Sequence, residues 1–245
     1  QQSLVEPLIL VLSAPQGVTN SLLRLVEQAR TGADCSADLQ QLRGRLQELV
    51  EAAKPLLDPG QFEALQRFSE QHLETIGQYA QGIRLLSYCP DSIQARILGA
   101  GEQFRVRLMQ ALLQARQARC AVLDAAQLVR SQGDYLNAVA DIPATQAAFA
   151  ALDFQGGVAI RIMAGFVSGL PNGEMALLGR NGSDYSAAII AAGVKASACE
   201  IWTDVDGVYS ADPRQVKNAK LIEQLSYAEA MELSYFGAKV LHPKT

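Results

Sequence analysis

Apolar positions recur along this chain with two different periods, and the change between them divides it. Near the start, Leu8 to Ser13 (LILVLS) is a short apolar run closed by Pro15-Gln16-Gly17, the pattern of a buried strand followed by a turn. From residue 20 to residue 118 the spacing turns helical. Leu22, Leu23, Leu25 and Val26 open it, and Leu39, Leu42, Leu46, Leu49 and Val50 repeat at three and four. Asp58-Pro59-Gly60 interrupts the pattern, with Asp58 placed as an N-cap and Pro59 at the first helical position. Phe62, Leu65, Phe68, Leu73 and Ile76 carry a third helix. Cys89-Pro90-Asp91-Ser92 is a second break, and helix resumes from Ile93 to Gln117.

Further along, strand-like and helix-like runs alternate. Ala121–Leu123, Val158–Val167 and Cys199–Thr203 read as strands, the second bounded by Gly157 and Gly169. Ser183–Val194 and Tyr227–Phe236 read as helices. Such alternation predicts an α/β fold with a mainly parallel sheet covered on both faces. Ligands of these sheets sit at the carboxyl ends of the strands.

Composition narrows the choice. The chain has 245 residues and 49% hydrophobic content, enough for a sizeable core. A net charge of −4 disfavours nucleic acid as the main partner. Cys35, Cys89, Cys120 and Cys199 form no C-x-x-C pair and are expected to be buried free thiols. A chain of this length with so few thiols is expected to be cytoplasmic and reduced; no apolar run is long enough to span a bilayer, and the first residues lack the basic flank of a signal peptide. The chain does not begin with methionine and is expected to be part of a longer protein.

Three runs carry candidate chemistry. The first, LLGRNGSDYSAA (Leu177–Ala188), follows a Pro171-Asn172-Gly173 turn and opens a helix. Gly179 and Gly182 allow close approach of a ligand to the backbone. Ser183 and Asp184 fall in the first helical turn, where free N–H groups favour an anion, and Arg180 adds a guanidinium fork suited to carboxylate or phosphate. Asp184 at a helix start also serves as an ordinary capping residue. The spacing is neither a Walker A loop nor G-x-G-x-x-G. The second run, WTDVDGVYSADPR (Trp202–Arg214), reads as a polar loop after a strand or as a nucleotide pocket built from hydroxyl, carboxylate, ring and guanidinium. The third, FGAKVLHPKT, places Lys239 just past a helix end, where it complements the dipole or reaches a phosphate.

GRNGSDYSAA, IWTDVDGVYSADPR and AMELSYFGAKVLHP, in this order, resemble the aspartate kinases of the amino acid kinase superfamily, most closely the kinase portion of the bifunctional aspartokinase–homoserine dehydrogenases. VLSAPQGVTN, the CPDS break and Gly101-Glu102 match as well. The resemblance implies a three-layer αβα sandwich with a mainly parallel sheet and a helical insert at 22–118. It implies an aspartate-binding lobe over 1–155 and an ATP-binding lobe over 156–245. By the same resemblance Ser13 and Thr19 line the aspartate site and Glu102 faces the substrate's amino group. Arg180 holds the α-carboxylate beside Ser183, and Asp184 orients the substrate and the transferring phosphoryl group. Thr203, Asp204, Tyr209 and Arg214 contact ATP, with Lys239 and Val240 closing over it. Without the family, Glu102 reads as a solvated helix-face residue. The implied reaction is phosphorylation of the L-aspartate side chain to 4-phospho-L-aspartate, with Mg2+ held mainly by the ATP phosphates. It is the first step towards lysine, threonine, methionine and isoleucine. A homo-oligomer is implied, with ACT and homoserine dehydrogenase domains as possible fused neighbours.

Two departures stand out. The family's Lys-Phe-Gly-Gly motif is absent, so this exact chain is expected to be inactive or nearly so. Arg105 stands where the family places a small hydroxyl residue. The alternatives are a kinase-fold binding or regulatory protein without catalysis, and a superfamily member acting on another substrate.

Overall fold

The computed structural model describes residues 7–152, 158–179, 182–203, 205–211 and 216–236. Three strands form its parallel sheet: β1 (Leu8–Leu12), β2 (Cys120–Val122) and β5 (Ile160–Ala164), in the order β1-β5-β2. The register pairs Leu12 with Ala164 and Val122 with Ile162. The central strand β5 is buried along Arg161–Ala164, as its apolar run requires of a strand with both faces covered. Two short antiparallel pairs flank this sheet. One is β3 (Ser131–Gln132) with β4 (Val139–Ala140), and the other is β6 (Val167–Gly169) with β7 (Met175–Leu177).

Four helices fill the stretch between β1 and β2: α1 (Val18–Arg30), α2 (Ser36–Ala53), α3 (Pro59–Leu86) and α4 (Asp91–Ala115). The expected start of α3 is found. Asp58 accepts from the Gln61 amide at 2.8 Å, and the Gln61 side chain accepts from the Asp58 amide at 3.1 Å. This reciprocal box satisfies two end groups, and its capping residue contributes about 1 kcal/mol. The long helix α4 packs on α1 and α3 and also along β1, β2 and β5, so it joins the helical unit to the sheet. After β2 come α5 (Ala125–Leu128), α6 (Ile142–Ala150), α7 (Gly182–Val194) and α8 (Tyr227–Phe236). Helix α7 packs on α6 and reaches β1.

Three expectations are corrected. The single strand over Val158–Val167 is two strands, because Gly165-Phe166 turns the chain between β5 and β6. Cys199–Thr203 forms no strand; among the described residues it pairs with no strand of the sheet, and Trp202 is 90% exposed. A strand-prone sequence without a partner strand gains little from being extended. All four cysteines are free, but Cys199 is exposed and Cys120 only half-buried. Among the described residues no helix is long and apolar enough to cross a membrane.

Candidate active site

At the carboxyl ends of β1 and β5 four pieces of chain meet. The first is the loop from Ser13 to Gly17, which leads into α1. Gly17 sits at φ +77°, a left-handed conformation that glycine takes without strain, and turns the chain into the helix. Ser13 is exposed at the end of β1, and Thr19 is half-buried in the first turn of α1. The second piece is the middle of α4. A Cβ on Gly101 would come within 2.9 Å of both Ala14 Cβ and Val18 Cγ1, so the missing side chain lets α4 press against this loop.

Glu102, the next residue, is only 1% exposed. It is therefore not a solvated face residue. Its Oε2 accepts from the Phe166 amide at 2.9 Å, and its Oε1 accepts from the Ser183 hydroxyl at 2.9 Å. Phe166 belongs to the β5–β6 turn and Ser183 to the first turn of α7, so the third and fourth pieces converge on one carboxyl group. The neighbouring Gly165 amide bonds the Leu12 carbonyl at 3.0 Å and adds a weaker pull on Glu102. Burial pushes the Glu102 carboxyl up to about 8, against the opposing effect of these donors.

Helix α7 is held tightly in this corner. A Cβ on Gly165 would lie 2.6 Å from Ser183 Cβ and 3.0 Å from its Cα. A Cβ on Gly182 would lie 3.0 Å from Phe166 Cβ. The Ser186 hydroxyl donates to the Ser183 carbonyl at 3.1 Å. Asp184 follows Ser183 in the same turn and is half-buried. Cys199 lies near enough that Asp184 raises its thiol pKa, second to the burial of the sulfur.

The structure thus brings Ser13, Thr19, Glu102, Ser183 and Asp184 to one corner. Thr203 is exposed on the chain leading away from it, and the Tyr209 hydroxyl donates to Asp206 at 3.2 Å. Arg180, Asp204, Arg214, Lys239 and Val240 lie outside the described residues. Arg105 is half-buried on α4, and among the described residues it has no hydrogen-bond or ion-pair partner. Sequence reasoning missed the Phe166 amide and the close approach at Gly165. The visible signal was a glycine inside what read as one strand. A depression of about 550 Å³ opens elsewhere, lined by Arg30, Tyr88, Cys89 and Tyr135 among others. Its one cation, Arg30, is already engaged by the Cys89 carbonyl and the Gln94 side chain, so it offers less chemistry than the Glu102 corner.

Comparison with known proteins decides the family. The model of the amino acid kinase family matches residues 2–245. This chain belongs to the amino acid kinase family. The chain is 36% identical over 241 residues to a bifunctional aspartokinase/homoserine dehydrogenase of Buchnera aphidicola, covering 98% of this chain and 29% of that protein. It is 33% identical over 248 residues to lysine-sensitive aspartokinase 3 of Escherichia coli, covering 97% of this chain and 51% of the relative. The crystal structure of E. coli aspartokinase III in complex with aspartate and ADP superposes with a TM-score of 0.85 at 32% identity, again over 97% of this chain and 51% of the other. The chain therefore spans about a third to a half of the length of these relatives.

Proposed function

We propose that this amino acid kinase serves as the catalytic part of an aspartate kinase, moving the γ-phosphoryl group of ATP onto the side-chain carboxylate of L-aspartate. The observation that carries the reading is the convergence of Ser13, Thr19, Glu102, Ser183 and Asp184 at the carboxyl ends of β1 and β5. The likeness to a structure holding aspartate and ADP supports it.

The attacking atom is a carboxylate oxygen, already ionised, so no general base is needed. One oxygen–phosphorus bond forms to the aspartate carboxylate as the bond to the ADP leaving oxygen breaks, giving 4-phospho-L-aspartate and ADP. Positioning and charge neutralisation then carry catalysis. Ser13 and Thr19 supply hydroxyls on the loop side. Glu102 faces the substrate ammonium, which favours its ionised form, so uptake of L-aspartate releases a proton from it. Arg180 holds the α-carboxylate beside Ser183, and Asp184 orients the nucleophile and the phosphoryl group. Thr203, Asp204, Tyr209, Arg214, Lys239 and Val240 form the ATP side. Among the described residues no cluster of three or more His, Cys, Asp or Glu side chains is built for a metal. A Mg2+ ion carried mainly by the ATP phosphates would offset their charge.

Calorimetry and an ADP-release assay test this reading. L-aspartate is expected to bind and L-glutamate not. Hydroxylamine should trap an aspartyl hydroxamate in the presence of ATP. Asp184→Asn should lower the hydroxamate rate about 100-fold while leaving L-aspartate affinity within about threefold. A protein that binds ATP but shows no response to L-aspartate is not an aspartate kinase.

A further inference from the structure

The Glu102 carboxyl is buried, and each of its oxygens accepts a bond from the protein. A carboxyl group buried to this degree is retained only where donors satisfy it. Those donors come from elements far away in sequence, 64 residues off at Phe166 and 81 residues off at Ser183. Among the described residues no cation pairs with it. Ser183 is the residue immediately before Asp184, and it has little room to shift. The missing Cβ atoms of Gly165 and Gly182 let the start of α7 press against the β5–β6 turn. The carboxyl group also faces the amino end of α7, where negative charge is favoured by the helix dipole.

We propose that Glu102 is a positioning residue for Asp184: through the Ser183 hydroxyl and the Phe166 amide it fixes the first turn of α7 on the end of the sheet. This role adds to that of facing a substrate ammonium, and it rests on the reading of Asp184 as the group that orients the reactants. It makes α4, the β5–β6 turn and α7 answer to one side chain. A change in the partners of Glu102 would reach Asp184 without any direct contact between the two.

The test uses the intact protein and the variants Glu102→Gln, Ser183→Ala and the two combined. Each single variant is expected to lower kcat at saturating L-aspartate about tenfold or more, with KM for ATP changed less than about threefold. The double variant should fall no further than the worse single, because one link is being cut twice. Amide hydrogen exchange over residues 182–186 should speed up about tenfold in both singles and stay unchanged in α3. Independent, multiplicative losses would overturn the proposal. So would an effect confined to KM for L-aspartate, the mark of a plain ammonium ligand. If Glu102→Gln fails to fold, Ser183→Ala alone decides through the exchange rates. Should the unaltered protein bind ATP but not L-aspartate while exchange at α7 responds as expected, the aspartate kinase reading fails and the anchoring of α7 stands. Unchanged exchange in Ser183→Ala sinks the anchoring whatever the activity.

Discussion

Glu102 experiences two opposing influences, and the balance between them has a measurable consequence. Burial disfavours its charge, while the Ser183 hydroxyl and the Phe166 amide favour it. Burial wins, so the folded carboxyl titrates at about 8 where the unfolded one titrates near 4.5. A raised folded value means that the folded protein keeps a proton which the unfolded chain has released. The resulting stabilisation is fully present below the unfolded value and is lost as pH rises through the folded one. Between the two, stability should fall by about 1.4 kcal/mol per pH unit relative to Glu102→Gln, which cannot titrate. Urea denaturation of both proteins at several pH values across that window measures it. A difference that does not change with pH would show that the carboxyl is ionised throughout.

At the scale of elements, glycines decide how closely the parts meet. Gly165→Ala would bring a methyl group to 2.6 Å from Ser183 Cβ, and Ser183 is backed by its own helix, so α7 must move. The expected cost is about 1–3 kcal/mol of stability, read from the urea midpoint, together with loss of the Ser183–Glu102 bond. A neutral Gly165→Ala would mean that α7 is free to slide. This contact also marks where the sequence was legible and where it was not. The helices α3 and α8 were readable because caps, breaks and period agree locally: Asp58 and Pro59 begin α3, and α8 spans the expected Tyr227–Phe236. The helix opened by GSDYSAA was legible because its signals are contiguous. Three features were not, because each depends on residues distant in sequence. Glu102 acquires its role from Phe166 and Ser183, and the turn at Gly165-Phe166 exists because one amide leaves the sheet for that carboxyl. Cys199–Thr203 lacks a neighbouring strand that no local propensity can supply.

Across the whole molecule, α4 is the common wall of two packing regions. It lies on α1 and α3 on the helical side and along β1, β2, β5 and β7 on the sheet side. Phe104, one of its largest side chains, is fully buried in a core that includes Leu22, Leu42 and Leu73 as well as Ile162 and Met163. The helical insert and the sheet are therefore not independent units, since unfolding either one exposes the face of α4 that the other covers. Residues 195–203, 205–211 and 216–236 are held differently. No described side chain in them joins that core, and Trp202, Tyr227 and Met231 are exposed. Phe104→Ala should cost about 3–5 kcal/mol, the cavity and the lost transfer energy together. Helical circular dichroism and hydrogen exchange in β5 should report the same shifted transition, because both depend on α4. Exchange in α8 should be fast already and indifferent to the change, since its opening is local and requires none of the core to come apart. Separate transitions for insert and sheet in Phe104→Ala would show that α4 follows one side only. The link from α4 through Glu102 to α7 would then have no rigid body to act through.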